Sequence, residues 1–203
     1  AFSKGIDVHA KTASEIFGMP LDKVTDEMRR TAKTVNFGVI YGMSPFGLSE
    51  ALSIPHEEAK KYIEKYFERH LGVRQYIDAA LIEAKKKGYT MTLAGRRRPI
   101  PEIRSQNSNA RAQAERLAVN SPIQGSAADI IKIAMINIRK KLKEEHFDAR
   151  MILQVHDELL FEAPESELNG VRDMIKREME GAVKLLVPLR VDIGAGRNWA
   201  EAH

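Results

Sequence analysis

Residues 151–163 read MILQVHDELLFEA, and this stretch decides the fold. Two apolar runs, MILQV and LLFEA, have the length and composition of strands in a covered sheet. Three polar residues, His156, Asp157 and Glu158, separate them. We expect a tight turn that joins two antiparallel strands and carries the three polar side chains at its tip. A solvated turn is the ordinary interpretation, and a cation site is the alternative, because carboxylates are the ligands that hard cations prefer.

Helical patterns flank these two strands. Residues 126–146 and 166–186 repeat apolar side chains at helical spacing. PLRVDIG (188–194) places an apolar residue at every second position, which predicts a third strand. The resulting order, α-β-β-α-β, is one strand short of a β-α-β-β-α-β unit. We therefore predict an α+β fold with part of an antiparallel sheet, whose first strand is missing from this sequence.

The region before residue 120 is predicted to be mostly helical. Apolar spacing, a threonine or aspartate at the start and glycines at the ends mark the helices. A short hairpin or loop with Gly95 at its turn follows them. The predicted helices cover residues 6–18, 25–42, 56–70 and 73–88, and the hairpin lies within 89–103.

The composition excludes several classes of protein. The 203 residues contain no cysteine, so disulfides and thiolate metal sites are excluded, and a reducing compartment is expected. The most apolar helical stretch, 129–138, is interrupted by Lys132, so we predict no membrane partner. A net charge of +4 permits a nucleic-acid partner without requiring one. The chain begins at Ala1 rather than at a methionine, and we expect a fragment.

Four residues in the second predicted helix stand out. Arg29, Lys33, Phe37 and Tyr41 are spaced by four, which keeps them on one face because each step of four residues turns the helix by about 400°. Two cations followed by two aromatic rings suit an anion that carries a flat group, such as a nucleotide. The alternative is a surface helix with solvated cations and half-buried rings.

Three motifs resemble one known family. RRTAKTVNFGVIYG (29–42) resembles the central fingers motif of the DNA polymerase I family, also called family A. VHDE (155–158) resembles its last palm motif, and SPIQGSAADIIKIAM (121–135) resembles the palm helix between them. Their order and spacing fit nearly the whole chain. The resemblance implies a fingers subdomain over residues 1–120 and the C-terminal part of a palm subdomain over residues 121–203.

The resemblance also implies a site for an incoming deoxynucleoside triphosphate. Arg29 and Lys33 would hold its phosphates, and Lys33 would count among the catalytic residues. Phe37 would pack on the sugar and base, and Tyr41 would lie at the template base. His9, on the preceding short helix, would touch the phosphate tail, although a lone histidine is more often structural.

The polar turn would then carry the chemistry. The resemblance implies that Asp157 is a catalytic metal ligand and Glu158 an adjacent, weaker one, in a reaction that uses two Mg²⁺ ions. The family's further aspartate lies in a strand motif, Asp-Tyr-Ser-Gln-Ile-Glu-Leu-Arg, which this sequence does not contain. That motif belongs to the strand missing from the predicted sheet. We therefore expect the chain to be inactive without that upstream strand and the family's thumb.

Contacts to primer-template DNA are the remaining expectation. The resemblance assigns Asn120, Gln124 and His156 to the minor-groove side of the primer end, where donors can test the shape of a base pair. Structural amides that cap a helix are the alternative. A basic series suits the phosphate backbone. It comprises Arg96, Arg97 and Arg98 in GRRRP (95–99), Arg104, Arg111 and Arg116.

The function expected from the sequence is template-directed DNA synthesis in replication or repair, in a bacterial cytosol or nucleoid. Two alternatives stay open. The first is a phage-type single-subunit RNA polymerase, which shares the arginine, lysine and tyrosine-glycine spacing but differs at the positions of Phe37 and Glu158. The second is a nucleic-acid-binding module without catalysis.

Overall fold

The computed structural model describes residues 5–202, which separate into two compact units with a boundary between Gln124 and Gly125. The chain is mostly helical and carries two small antiparallel sheets of two strands each. The predicted α+β class is therefore confirmed. The boundary falls inside one long helix, close to Pro122, which lacks the N–H that a helix interior needs.

The first unit is built of helices and one short hairpin. The helices predicted from apolar spacing are confirmed, with ends that differ by at most two residues. The elements are α1 (Val8–Phe17), α2 (Asp26–Ile40), α3 (Pro45–Leu52), α4 (His56–Arg69), α5 (Leu71–Lys87), β1 (Tyr89–Met91), β2 (Arg97–Pro99) and the start of α6 (Ser108–Glu144), with 3-10 turns at Leu21–Lys23 and Pro101–Arg104.

Helix α3 was not predicted. It is short, but its start carries a complete local signal, since Ser44 accepts a hydrogen bond from the N–H of Gly47 at 3.2 Å and Pro45 occupies the first helical position. Leu48 is its buried contact with the core. A single buried residue gives too little periodicity for recognition from apolar spacing.

The core of the first unit fixes which face of α2 is exposed. Val35 and Val39 are buried with Ile16 of α1, Leu48 of α3 and Tyr66 of α4. Burial of these side chains turns the opposite side of α2 outward. The four residues singled out from the sequence lie on that outward side.

Helix α2 has a well-defined beginning and end. Thr25 accepts a hydrogen bond from the N–H of Met28 at 3.2 Å, as predicted for an N-cap. At the other end, Gly42 N–H donates to Val39 O at 3.1 Å and Met43 N–H to Gly38 O at 2.8 Å. This pair of bonds is the Schellman motif, and Gly42 has the positive φ of 70° that the motif requires. The helix therefore ends just before Tyr41.

The second unit contains the rest of α6, a hairpin and a covering helix. Strands β3 (Arg150–Val155) and β4 (Glu158–Glu162) pair antiparallel, so the predicted hairpin is confirmed. Met151 pairs with Phe161 and Leu153 with Leu160, which leaves Ile152 as a bulge. The further elements are a 3-10 turn at Glu165–Glu167, α7 (Leu168–Glu180) and α8 (Trp199–Ala202).

The second core is formed by side chains of the helices that precede and follow the hairpin in the chain. Ile138 and Leu142 of α6 pack with Val171, Met174 and Ile175 of α7. Met151, Leu159 and Phe161 of the hairpin cover this cluster. The hairpin is thus held by one apolar face, and its turn projects beyond the core.

The third predicted strand, 188–194, is wrong, because this segment forms no ladder with β3 or β4. The N–H of Val191 instead donates to a carboxylate oxygen of Glu180 at 3.1 Å. Ile193 packs against the second core, which explains the alternation. Alternating apolar residues encode one-sided burial and do not specify a pairing partner. The α-β-β-α-β order is therefore observed only up to α7, which ends at Glu180 rather than at 186.

None of the helices within residues 5–202 is both long and apolar enough to cross a membrane.

Candidate functional site

The outward side of α2 brings two cations and two rings together. We call Arg29, Lys33, Phe37 and Tyr41 the α2 face. Arg29 and Lys33 are exposed, and Phe37 and Tyr41 are 44% and 41% exposed. The two rings are stacked, with centroids 6.2 Å apart and planes inclined by 11°. Large aromatic rings left this exposed on a rigid helix are available to a flat partner.

His9 of α1 joins this face. Its ring centroid lies 5.7 Å from that of Phe37. Its Nδ1 lies 3.0 Å from Nδ2 of Asn36, a buried residue of α2. Burial lowers the pKa of His9 below its usual value; Asp7 opposes that shift, and Arg29 and Lys33 add to it. The imidazole beside these two cations therefore loses its proton more readily than an ordinary histidine does.

Asp7 forms an ion pair with Arg29 and is the N-cap residue of α1. Both Nε and Nη2 of Arg29 lie 2.8 Å from Oδ2 of Asp7. The other carboxylate oxygen accepts hydrogen bonds from the backbone N–H groups of His9 and Ala10, at 2.8 and 2.9 Å. The bond from Ala10, and next the bond from Arg29, lower the pKa of the Asp7 carboxyl. The guanidinium is therefore oriented, and the carboxylate is a competitor for any anion that Arg29 would bind.

Sequence reasoning missed Asp7 and Asn36. Asp7 had a detectable signal, because it directly precedes the first residue of α1 and occupies the N-cap position. Asn36 gave none, since a buried amide in the middle of a helix has no local pattern. Both act through contacts between α1 and α2, more than 20 residues apart in sequence.

The end of α2 meets α6 within the first unit. A Cβ atom at Gly42 would lie 3.1 Å from Cγ of Arg116. The positive φ of Gly42 favours glycine, and a Cβ atom there would also require the Arg116 side chain to shift by a few tenths of an ångström. Arg116 is exposed and lies beside the turn that follows Tyr41. Arg116, which is expected at DNA, thus lies beside Gly42, the residue that follows Tyr41 in the chain.

The other basic residues divide into two groups. Arg96, Arg97 and Arg98 are exposed on the β1–β2 hairpin, and the guanidinium of Arg97 lies 4.9 Å from the ring centroid of Tyr89. By contrast, Nε of Arg104 donates to Lys85 O at 2.8 Å at the end of α5, and Arg111 donates to Ser105 O at 2.9 Å. The guanidinium groups of Arg104 and Arg111 thus donate to backbone carbonyls, which is a structural role. The sequence alone did not distinguish them from the arginines expected at DNA.

Asn120 and Gln124 lie one turn apart on α6. Both are in the helix interior, so the alternative that they cap a helix is wrong. Gln124 is exposed. Oδ1 of Asn120 is buried and finds no hydrogen-bond partner within residues 5–202. An amide in this state has unused capacity for a hydrogen bond.

In the second unit, His156 and Asp157 form the two-residue turn between β3 and β4. Glu158 was expected at the tip but is the first residue of β4, opposite Val155. His156 has a φ of 53°, which is uncommon for a residue other than glycine, and its carbonyl accepts a hydrogen bond from Gln154 Nε2 at 3.0 Å. The turn is therefore constrained, and it presents two adjacent, exposed carboxylates.

The two carboxylates fit a hard cation by the chemistry of their oxygen donors. They are not joined by others: no group of three histidine, cysteine, aspartate or glutamate side chains suited to a metal ion occurs among the described residues. Asp157 and Glu158 alone are therefore too few for a complete ligand set. We call them the carboxylate turn.

Comparison with known proteins gives concordant results. The profile of DNA polymerase family A matches residues 1–201. DNA polymerase I of Caldicellulosiruptor bescii is 51% identical over 99% of this chain, and that of Bacillus caldotenax is 52% identical over 100%. The chain spans only 24% and 23% of these two relatives.

A solved structure agrees with the sequence matches. It is the POL domain of Pol1 from M. smegmatis in complex with DNA primer-template and dNTP. Its TM-score with this chain is 0.95 at 48% identity, and the match covers 100% of this chain and 36% of that one. The family profile and the relatives at about half identity lead to one assignment: this chain belongs to DNA polymerase family A.

Proposed function

We propose that the polypeptide containing this chain is a template-directed DNA polymerase, which transfers nucleotides from deoxynucleoside triphosphates to the 3′-hydroxyl of a primer. The observation that carries this proposal is the α2 face, where two cations and two exposed rings stand together with His9. Membership of family A supports DNA synthesis over the RNA polymerase alternative. The M. smegmatis relative, solved with primer-template and dNTP, supports the same substrates.

The α2 face would bind the triphosphate. Lys33 and Arg29 supply positive charge for the phosphates, because charge-assisted hydrogen bonds to phosphate are among the strongest that side chains make. His9 adds an N–H donor beside them. Phe37 offers its ring to the sugar and base, and Tyr41 offers its ring to the template base. Lys33 also neutralises charge that develops on the phosphates during transfer, which is a catalytic role.

The carboxylate turn would hold metal. Asp157 and Glu158 would bind Mg²⁺, and a family A site with two ions would need a further carboxylate from elsewhere in the polypeptide. When bound, the ions lower the pKa of the primer hydroxyl and neutralise charge on the leaving group. The two-residue turn places Asp157 next to Glu158 at the end of the hairpin, where both carboxylates are exposed.

Primer-template DNA would contact both units. Arg96, Arg97 and Arg116 are exposed and suit backbone phosphates. Asn120, Gln124 and His156 would reach the minor-groove side of the primer end, where correct base pairs present similar acceptors. Residues 1–120 would form a fingers subdomain and residues 121–203 the C-terminal part of a palm subdomain, in a protein that acts in the bacterial cytosol or nucleoid.

The test is primer extension by a complete polymerase that carries residues 1–203. With Mg²⁺, a primed template and all four deoxynucleotides, we expect template-directed extension, which ribonucleotides do not replace. The 203-residue chain alone should give none, because its described residues offer too few carboxylates in one place. Extension of an RNA chain by the complete polypeptide, or no synthesis at all, would contradict the proposal.

A further inference from the structure

Asn36 is a polar side chain that the proposed chemistry does not use. It lies in the middle of α2 between Val35 and Phe37, and only 7% of it is exposed. Asparagine is a poor residue for a helix interior. A buried amide also destabilises the folded state unless its hydrogen bonds are made. Its presence at this position therefore calls for a specific role.

Both ends of the Asn36 side chain are engaged by α1. Oδ1 accepts a hydrogen bond from Oγ1 of Thr12 at 3.1 Å, and Thr12 is only 1% exposed. Nδ2 lies 3.0 Å from Nδ1 of His9. An amide NH₂ group only donates, so Nδ1 of His9 must accept. In a neutral imidazole the proton then resides on Nε2.

We propose that Asn36 is a positioning residue, which holds the His9 ring as its Nε2–H tautomer and leaves that N–H as the donor for a phosphate oxygen. The inference rests on the proposed triphosphate site. Thr12 contributes by holding one end of the amide, since its hydroxyl donates a hydrogen bond to Oδ1. The ring contact with Phe37, at 5.7 Å, limits the remaining rotation of the imidazole.

The same contact disfavours a protonated ring. An imidazolium would direct an Nδ1–H group at the NH₂ group of Asn36, so two donors would face each other. The charged groups around His9 are Asp7, Arg29 and Lys33. Burial of the ring also lowers its pKa; Asp7 opposes this shift, and Arg29 and Lys33 add to it. The contact with Asn36 and the lowered pKa of His9 therefore both favour the neutral ring, which carries the Nε2–H donor.

The first experiment reads the tautomer directly. A complete polymerase carrying this chain is labelled with ¹⁵N-histidine, and the ring nitrogens of His9 are assigned by loss of signal in His9→Gln. We expect a protonated Nε2 and an unprotonated Nδ1. In Asn36→Asp, the carboxylate accepts a hydrogen bond from Nδ1–H, so the tautomer reverses and the pKa of His9 rises. Asn169→Asp, an exposed position on α7, is the control and should change neither.

A protonated Nδ1 in the unmodified protein would overturn the inference, and so would identical His9 spectra in the unmodified protein and Asn36→Asp. This measurement needs no activity. Failure of the tautomer assignment can therefore be distinguished from failure of the proposed function, which primer extension by the unmodified polymerase tests.

The second experiment asks whether Asn36 acts through His9. Asn36→Ala should raise the KM for deoxynucleotide about threefold to tenfold with a smaller change in kcat, because a donor to a charged phosphate is misplaced. In a His9→Ala background the same substitution should add almost nothing. Thr12→Val, a milder change, should raise KM less and show the same dependence on His9. Equal effects of Asn36→Ala with and without His9 would indicate a purely structural role and overturn the inference.

Discussion

The α2 face and the carboxylate turn are built in different ways. Arg29 of the α2 face is oriented by its bonds to Asp7, which precedes α1. His9 of α1, whose ring contacts Phe37, is in turn held by Asn36 of α2. The carboxylate turn has an ordered backbone, but its two carboxylates are exposed and no third ligand joins them among the described residues. Under the proposed function, the nucleotide site would be largely organised within this chain, whereas the proposed metal site would need ligands beyond the described residues. Substitutions in the two regions should therefore have different kinetic signatures.

The largest effect is expected at the carboxylate turn. In a complete polymerase carrying this chain, Asp157→Ala should abolish turnover and leave primer-template affinity close to normal, because the substitution removes a metal ligand and no DNA contact. Single-turnover incorporation and equilibrium DNA binding measure the two properties. Asp173→Ala, at an exposed position on α7, is the matched control. A variant that kept more than a small fraction of the rate would contradict the metal assignment.

Lys33→Ala should give the next largest effect. Loss of a charge-assisted contact to phosphate is expected to lower kcat/KM for deoxynucleotides about 10- to 100-fold. DNA affinity should change little, since the contact is to the nucleotide. Steady-state kinetics at several nucleotide concentrations measures the effect, and Lys60→Ala, exposed on α4, is the control. If both lysine variants behaved alike, the α2 face would not be the phosphate site.

Phe37 tests the sugar end of the α2 face. A dideoxynucleotide lacks the 3′-hydroxyl, and a tyrosine at position 37 offers a hydroxyl that can replace the missing hydrogen bond. Phe37→Tyr should therefore raise the use of dideoxynucleotides about tenfold, the value of one neutral hydrogen bond, and leave normal incorporation nearly unchanged. Competition between the two nucleotides in a termination assay measures this ratio. If Phe37→Tyr discriminated between dideoxynucleotides and deoxynucleotides as the unmodified protein does, Phe37 would not contact the sugar.

The sequence predicted the elements whose signals are local. Apolar spacing identified α2 because Val35 and Val39 face the core, and the polar interruption identified the turn at His156 and Asp157. The sequence-based prediction failed where an element depends on contacts with residues that are distant in the chain. Residues 188–194 alternate like a strand but pack one side chain, Ile193, without forming a ladder. Alternation encodes a buried face, and pairing depends on which backbone lies alongside.

The same limit applies within the site. The spacing of four residues brought Arg29, Lys33, Phe37 and Tyr41 to one face, since helical geometry requires it. The bonds that orient this face come from α1, and no spacing within α2 encodes them. Long-range polar contacts of this kind depend on how two helices pack, which single-residue patterns do not specify.

The smallest effect is expected from Asp7→Asn, which removes the charge that competes for Arg29. Asparagine is an equally good N-cap, so α1 should keep its stability to within about 0.5 kcal/mol. Without the Asp7 carboxylate, no negative charge at position 7 competes with the triphosphate for the Arg29 guanidinium. The KM for deoxynucleotide should fall about twofold to threefold at low salt, and the difference should shrink as salt screens these exposed charges. The matched control is Asp78→Asn, which removes an exposed partner of Arg74 at 3.2 Å on α5.

The acid dependence of stability gives a second measurement on Asp7→Asn. Because folding lowers the pKa of Asp7, the unfolded chain takes up a proton before the folded chain does as the pH falls. The stabilisation by Asp7 is therefore complete above its ordinary pKa of about 4 and is lost as the pH falls through the lower folded value. As the pH falls through that range, the thermal unfolding temperature of the unmodified protein should fall more steeply than that of Asp7→Asn. In the kinetic measurement, a rise in KM for Asp7→Asn would contradict competition between Asp7 and the triphosphate. It would mean that Asp7 orients Arg29 toward the phosphates, so that binding by the α2 face depends on α1.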